Sequence, residues 1–262
     1  MDKNLLMALT QNPELISGIY NFCDGWCERC SFTQKCLKYL MIEEGVADEK
    51  IGEEECSEEN LDEVFQFSFE LLNQAAKKMG MPLPSDEDEF DEEKEQQKDE
   101  AVFGSQIMLQ ADKYAELVEN WFGLRESLIE ERKKALHGLV LLGADAFTFP
   151  RSLDRFKDRC EVIQWYQFII PSKLFRALRG QIEGDENANE FQVEDCRGSA
   201  KVALLAIDSS LEAWTGLFDF FPDEDDSILP ILMLLSGMRT LVEAAFPDAR
   251  SFQRPGFDTA LD

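Results

Sequence analysis

The sequence predicts an all-α protein, a helical bundle that carries a small four-cysteine metal module near its N-terminus. In the second half of the chain, apolar residues recur every three or four positions, which is the spacing of helices with one buried face. The alternation typical of strands is almost absent. The module is predicted by the cysteines, because four of the seven lie between residues 23 and 36.

Residues 1–55 are assigned to the cysteine-rich metal-binding module. Asn12 and Pro13 are typical of a helix start, with Asn as the N-cap and Pro at the first helical position. Apolar residues at helical spacing follow them and place Cys23 on the last turn of that helix. A second short helix is predicted from Lys35 to Glu44, where Cys36 would lie on the first turn.

Residues 56–84 and 85–100 are predicted to differ sharply. The first range contains a helix over 57–80, which we expect to pack on the bundle through an apolar face made of Leu61, Val64, Phe65, Phe69, Leu72 and Ala76. The second range carries ten acidic residues against two lysines. A segment this charged buries too little apolar surface to order itself, so we predict a flexible acidic linker.

Residues 101–262 are predicted to form the helical bundle and a C-terminal tail. Helices are expected near 105–122, 124–142, 152–169, 172–180, 196–220 and 227–246. The clearest core pattern lies in the helix near residue 200, where apolar side chains step by three or four positions through Leu204, Ile207, Leu211, Trp214, Phe218 and Phe221. Such a stripe is typical of a helix packed lengthwise in a bundle.

The charge limits the partners and the location. The net charge is -27 and the sequence pI is about 4.3, so nucleic acid and anionic membranes would be repelled. The N-terminus does not resemble a signal peptide, and the longest apolar run, residues 228–235, is far shorter than the ~20 residues of a membrane span. We expect a cytoplasmic protein whose partner, if it has one, is another protein. The oligomeric state is left open.

The four clustered cysteines, Cys23, Cys27, Cys30 and Cys36, have the spacing C-x3-C-x2-C-x5-C. Disulfides are rare in the cytosol, so a cluster of this kind indicates metal ligation by thiolates. We predict that all four ligate one metal centre. Neighbouring aromatic and basic side chains are expected to shield the centre from water and to offset its negative charge; they are Tyr20, Phe22, Trp26, Phe32, Arg29 and Lys35.

An iron–sulfur cluster is the first hypothesis for this centre, and structural zinc is the alternative. The compact, uneven spacing favours the cluster, since structural zinc more often uses two separated Cys-x2-Cys pairs. The last three cysteines are similar in spacing to the end of the iron–sulfur loop of the endonuclease III family, and the first three to the radical-SAM motif. These likenesses concern cluster spacing alone, because the chain is too acidic for a DNA glycosylase and too poor in strands for a β/α barrel.

No catalytic signature accompanies the cysteines in the sequence. The single histidine, His137, is predicted to lie at the surface, and one histidine excludes the HExxH zinc motif. Lys173, Arg176 and Arg179 are interpreted as the cationic end of a helix capped by Gly180. The function predicted is therefore a metal-binding protein in a redox, scaffold or sensing role, with no reaction assigned. The alternative is a zinc-stabilised adaptor that binds another protein without catalysis.

Overall fold

The all-α fold class is confirmed by a computed structural model, which describes residues 9, 12–44, 69, 73, 91–141, 148–187 and 190–258. In these ranges there are seven α-helices and no β-strand. The helices are α1 (Leu37–Glu43), α2 (Glu92–Phe103), α3 (Gln106–Leu124), α4 (Glu126–Leu141), α5 (Thr148–Asn187), α6 (Glu190–Leu217) and α7 (Asp225–Ala245). Short 3-10 turns cover Ile19–Phe22, Cys27–Arg29, Thr33–Lys35 and Ala249–Ser251.

The chain divides into two compact units. The N-terminal unit consists of Met1–Leu15 and Ser31–Glu95, and the bundle unit consists of Ile16–Cys30 and Gln96–Asp262. This division differs from the sequence assignment of residues 1–55 to one module, because residues 16–30 belong with the bundle. Packing explains the difference, since Ile19 and Phe22 are buried in the bundle unit.

Helix α6 packs lengthwise in the core of the bundle unit, as its apolar stripe predicted. Trp214 is fully buried and meets Trp121 of α3 edge to face, with 5.1 Å between ring centroids. Its indole N–H donates a hydrogen bond to the Tyr114 hydroxyl at 3.3 Å, and the indole of Trp121 donates to Ser227 Oγ at 3.0 Å. The large aromatic side chains therefore bury their apolar area while their polar atoms keep partners.

Helix α5 is one helix where the sequence predicted two. It runs through Pro171 and Gly180 for 40 residues, which is about 60 Å. A proline inside a helix removes one backbone hydrogen bond and costs about 3 kcal/mol. Ile170 and Leu174, on either side of Pro171, are fully buried, and this packing against the core keeps the helix continuous. The prediction that Gly180 ends a helix is therefore wrong.

Helix α7 buries one face against α3 and α6. Its buried residues are Ile228, Ile231, Leu235, Met238 and Val242. The helix is also long and apolar enough to cross a membrane by length and composition alone, with a mean hydropathy of 1.6 and 28% of its apolar window buried. A core helix of a soluble protein passes the same test, so α7 is weak evidence for a membrane span.

Residues 92–100 form the first part of α2, which differs from the flexible linker predicted over 85–100. The backbone N–H of Lys94 donates to the Asp91 carboxylate at 3.0 Å, so Asp91 caps the helix start. Acidic residues fill the first turn, where the helix dipole favours negative charge. Further along, Arg179 of α5 pairs with Asp99 at 2.7 Å. Residues 85–90 and nearly all of the predicted 57–80 helix lie outside the described residues.

The segment before the first cysteine is not the helix predicted from Asn12 and Pro13. Residues 12–18 form turns, in which the Asn12 side chain accepts a hydrogen bond from the Glu14 N–H at 3.0 Å. Gly18 then adopts a left-handed conformation with φ of 69°, and the 3-10 turn of residues 19–22 follows. Cys23 consequently lies in extended backbone after this turn, and its predicted place on an α-helix is wrong.

Candidate metal centre

The predicted ligands are divided between the two units. Cys23, Cys27 and Cys30 lie on residues 16–30 of the bundle unit, whereas Cys36 precedes α1 in the N-terminal unit. Cys27 opens a 3-10 turn that Cys30 closes, with the Cys30 N–H donating to the Cys27 carbonyl at 3.1 Å. All four are half-buried thiols that form no disulfide.

Aromatic packing fixes the loop between the first two cysteines on α5. The Trp26 ring stacks on Trp165, with centroids 4.9 Å apart, and meets the edge of Tyr166 at 6.1 Å. The Trp165 indole N–H donates to the Asp24 carbonyl at 3.1 Å, and the Tyr166 hydroxyl donates to the Asp24 carboxylate at 2.8 Å. These four residues combine stacked area with directional hydrogen bonds, which holds the backbone of the loop in one position.

The Tyr166 phenol stays protonated, so it can donate its hydrogen bond to Asp24. Burial raises the pKa of Tyr166, and the adjacent Asp24 carboxylate raises it further because a phenolate would face a like charge. The phenol is therefore protonated throughout the physiological range and remains a donor. The second oxygen of Asp24 accepts from the Trp26 N–H at 3.1 Å, so one carboxylate joins the loop backbone to α5.

Arg29 fixes the second turn of the cysteine segment. Its guanidinium lies 3.8 Å from the Trp26 ring centroid and pairs with Asp158 at 2.6 Å and with Glu161 at 2.7 Å. We expected Arg29 to offset thiolate charge, whereas the structure pairs it with two carboxylates of α5. Because these ion pairs are exposed, each is weak alone, and the guanidinium acts mainly by joining the turn to the helix.

Lys173 of α5 contacts the backbone shortly before the first cysteine. Its ammonium donates to the Asn21 carbonyl at 3.1 Å. Burial lowers the pKa of Lys173, and a thiolate at Cys23 would act in the opposite sense. This contact is not predicted by the sequence, in which Lys173 is interpreted as part of a helix end.

The other members of that basic patch are engaged in ion pairs. Arg176 donates to Asp195 at 2.7 Å, and Arg179 pairs with Asp99 at 2.7 Å and with Glu183 at 2.8 Å. Helix α5 continues past all of them to Asn187. These arginines therefore connect α5 to its neighbours, and they do not form the predicted helix end.

The start of the cysteine segment is held by a hydrophobic anchor. Phe22 is 6% exposed and packs on Gly198 of α6 and on the Phe252 ring, whose centroid is 5.2 Å away. An ion pair between Lys201 of α6 and Asp258, at 2.8 Å, holds the C-terminal residues on α6. The C-terminal segment and α6 thus enclose the side chain that precedes Cys23.

No assembled metal site is found in the part of the chain that the structure describes. Among residues 9, 12–44, 69, 73, 91–141, 148–187 and 190–258, no three His, Cys, Asp or Glu side chains form a group that could hold a metal ion. The anchors described above fix the backbone of the loop that carries Cys23, Cys27 and Cys30. His137 is exposed, as the sequence predicted.

Comparisons with known proteins add no relative. No family model, no curated protein and no solved structure matches the chain.

Proposed function

We propose that this chain is a metal-binding helical protein in which Cys23, Cys27, Cys30 and Cys36 hold an iron–sulfur cluster in a redox, scaffold or sensing role. The observation that carries the proposal is the compact four-cysteine spacing, since thiolates are the usual ligands of such clusters. Cys36 enters the proposal on its sequence spacing alone.

The local backbone supports a shared role for Cys27 and Cys30. They are three residues apart across a 3-10 turn, and side chains at this separation lie on the same side of such a turn. The turn is joined to α5 through Arg29 and Trp26, so the two sulfurs are presented from a fixed backbone. A fixed backbone reduces the conformational entropy that ligation would otherwise remove.

The surroundings of Cys23 support thiolate ligation. The Lys173 ammonium donates to the carbonyl of Asn21, two residues before Cys23, and a cation near a thiol favours the ionised form that binds metal. The stacked rings of Trp26 and Trp165 pack against the same loop and leave its thiols only partly exposed. Charge and solvent exposure near the ligands are among the features that set the reduction potential of an iron–sulfur cluster.

Structural zinc is the alternative, and it would make the chain a protein-interaction adaptor without chemistry. The observation in its favour is that the residues flanking the cysteines, Asp24, Trp26 and Arg29, are all engaged in packing and ion pairs. A zinc ion bound by four thiolates would serve the same structural purpose and needs no redox partner.

The test compares metal content across matched cysteine variants purified without oxygen. Cys23→Ser, Cys27→Ser, Cys30→Ser and Cys36→Ser should each lower the bound iron and sulfide. Cys160→Ser and Cys196→Ser are the controls: burial raises the pKa of the Cys160 thiol to about 12, and the Cys196 thiol donates to the Ala177 carbonyl at 3.2 Å. Equal metal content in all six variants would contradict the assignment of the ligands.

A further inference from the structure

A groove on the bundle unit lies between α3 and α5. It encloses about 500 Å³, a volume within the range of ligand-binding clefts. Ala115 and Phe122 of α3 are partly exposed along it and supply apolar surface, and Phe168 of α5 stands at the edge with 68% of its surface exposed. A large aromatic side chain exposed beside an apolar groove is typical of a protein-interaction surface.

The groove is acidic as well as apolar. Glu116 and Glu119 lie on its α3 side, and the neutral amides of Gln164 and Gln167 lie on its α5 side. No lysine or arginine is among its lining residues. Lys113 pairs with Glu116 at 2.8 Å, but both side chains are more than half exposed, so solvent screens the pair.

We infer that this groove docks a basic peptide segment of another protein, with a large apolar side chain packed against Phe168 and lysines or arginines facing Glu116 and Glu119. Charge complementarity selects this occupant. The chain carries a net charge of -27, so a second copy, a nucleic acid or an anionic membrane would be repelled from the groove. The volume accommodates one or two apolar side chains, which suits a short segment.

This interaction site is independent of the cysteines and does not rest on the proposed metal centre. Phe168 is the expected centre of the binding energy, because exposed aromatic side chains in a groove are typical hot spots. Glu119 is expected to contribute mainly to the attraction of the peptide and to the salt dependence of binding.

The test measures binding of a fluorescein-labelled amphipathic peptide of leucines and lysines to the full-length protein. Two matched peptides separate the contributions: one replaces every leucine by alanine at the same charge, and the other replaces every lysine by glutamate. Both should bind about tenfold more weakly or worse. Phe168→Ala should weaken binding of the first peptide about tenfold, and Glu119→Gln should weaken it more at low salt than at high salt.

The control variant is Phe191→Ala, which removes another phenylalanine that is 61% exposed, on α6 outside this groove. It should bind the leucine–lysine peptide as the wild type does. Equal binding of the leucine and alanine peptides, or unchanged binding by Phe168→Ala, would show only diffuse attraction by negative charge and would overturn the inference. Sedimentation that detects a dimer abolished by Phe168→Ala would instead assign the groove to a second copy of the chain.

Discussion

A methyl group added at Gly198 tests whether the cysteine segment is anchored on α6 as described. An alanine Cβ at this position would lie 2.2 Å from Cδ1 and 2.4 Å from Cε1 of the Phe22 ring, and 3.0 Å from Cε1 of Phe252. Ordinary contacts between carbon atoms are about 3.5–4.0 Å. The Phe22 ring would therefore have to leave its buried position, which would loosen the segment that carries Cys23.

Two opposing effects set the size of the change in unfolding free energy. Alanine is favoured over glycine inside a helix by about 1 kcal/mol. Overpacking of a buried site costs about 1–3 kcal/mol. Gly198→Ala should therefore destabilise the protein by up to about 2 kcal/mol, in spite of its better helix propensity.

Urea unfolding measures this change, and Gly123→Ala in α3 is the matched control. Nothing described lies within 4 Å of an alanine Cβ at Gly123, so that variant should gain up to about 1 kcal/mol from helix propensity. The reactivity of the native thiols towards a dye should also rise in Gly198→Ala and stay constant in Gly123→Ala. Equal stabilisation by both variants, with unchanged thiol reactivity, would refute the anchor.

The remaining predictions concern the core, the C-terminal segment and the groove. Trp214→Ala should destabilise the protein by about 3–5 kcal/mol in urea unfolding, and a loss under about 1 kcal/mol would contradict the buried stripe. Hydrogen bonds from Arg254 and Lys201 hold the pKa of Asp258 well below its usual value. This carboxylate therefore contributes stability above about pH 4 that is lost as the pH falls, and Asp258→Asn should flatten the decline in unfolding free energy below that pH. An unchanged decline would show that Asp258 does not contribute. Phe168→Ala should leave the unfolding free energy within about 0.5 kcal/mol of wild type, and a larger loss would mean that its ring is buried.

Local patterns predicted the bundle because apolar residues at helical spacing lie on the buried faces of its helices. Leu204, Ile207 and Trp214 recur at helical spacing, and all three are fully buried. The same reasoning failed where tertiary packing overrides a local signal. Pro171 is a strong helix breaker by itself, yet the buried side chains beside it keep α5 continuous.

The cysteine segment could be located from the sequence, but its setting could not. Spacing identified Cys23, Cys27 and Cys30, whereas the stacking of Trp26 on Trp165 joins residues far apart in the chain. Asn12 has the sequence signature of a helix cap, but its side chain closes a local turn. Ile19 and Phe22 are likewise buried by residues far along the chain. Contacts of this kind depend on the assembled bundle and leave no local pattern.

The central claim is most directly tested by the metal content and absorption spectrum of the full-length protein purified without oxygen. An iron–sulfur cluster has sulfide-to-iron charge-transfer bands, so the protein should be brown, contain iron with sulfide, and bleach on reduction or oxidation. Zinc has a filled d shell and gives neither colour nor a redox response. Colourless protein with one zinc per chain would therefore contradict the iron–sulfur cluster and favour the zinc-stabilised adaptor. Colourless protein with no metal, and with Cys23, Cys27, Cys30 and Cys36 all titratable in the native state, would contradict the metal centre itself.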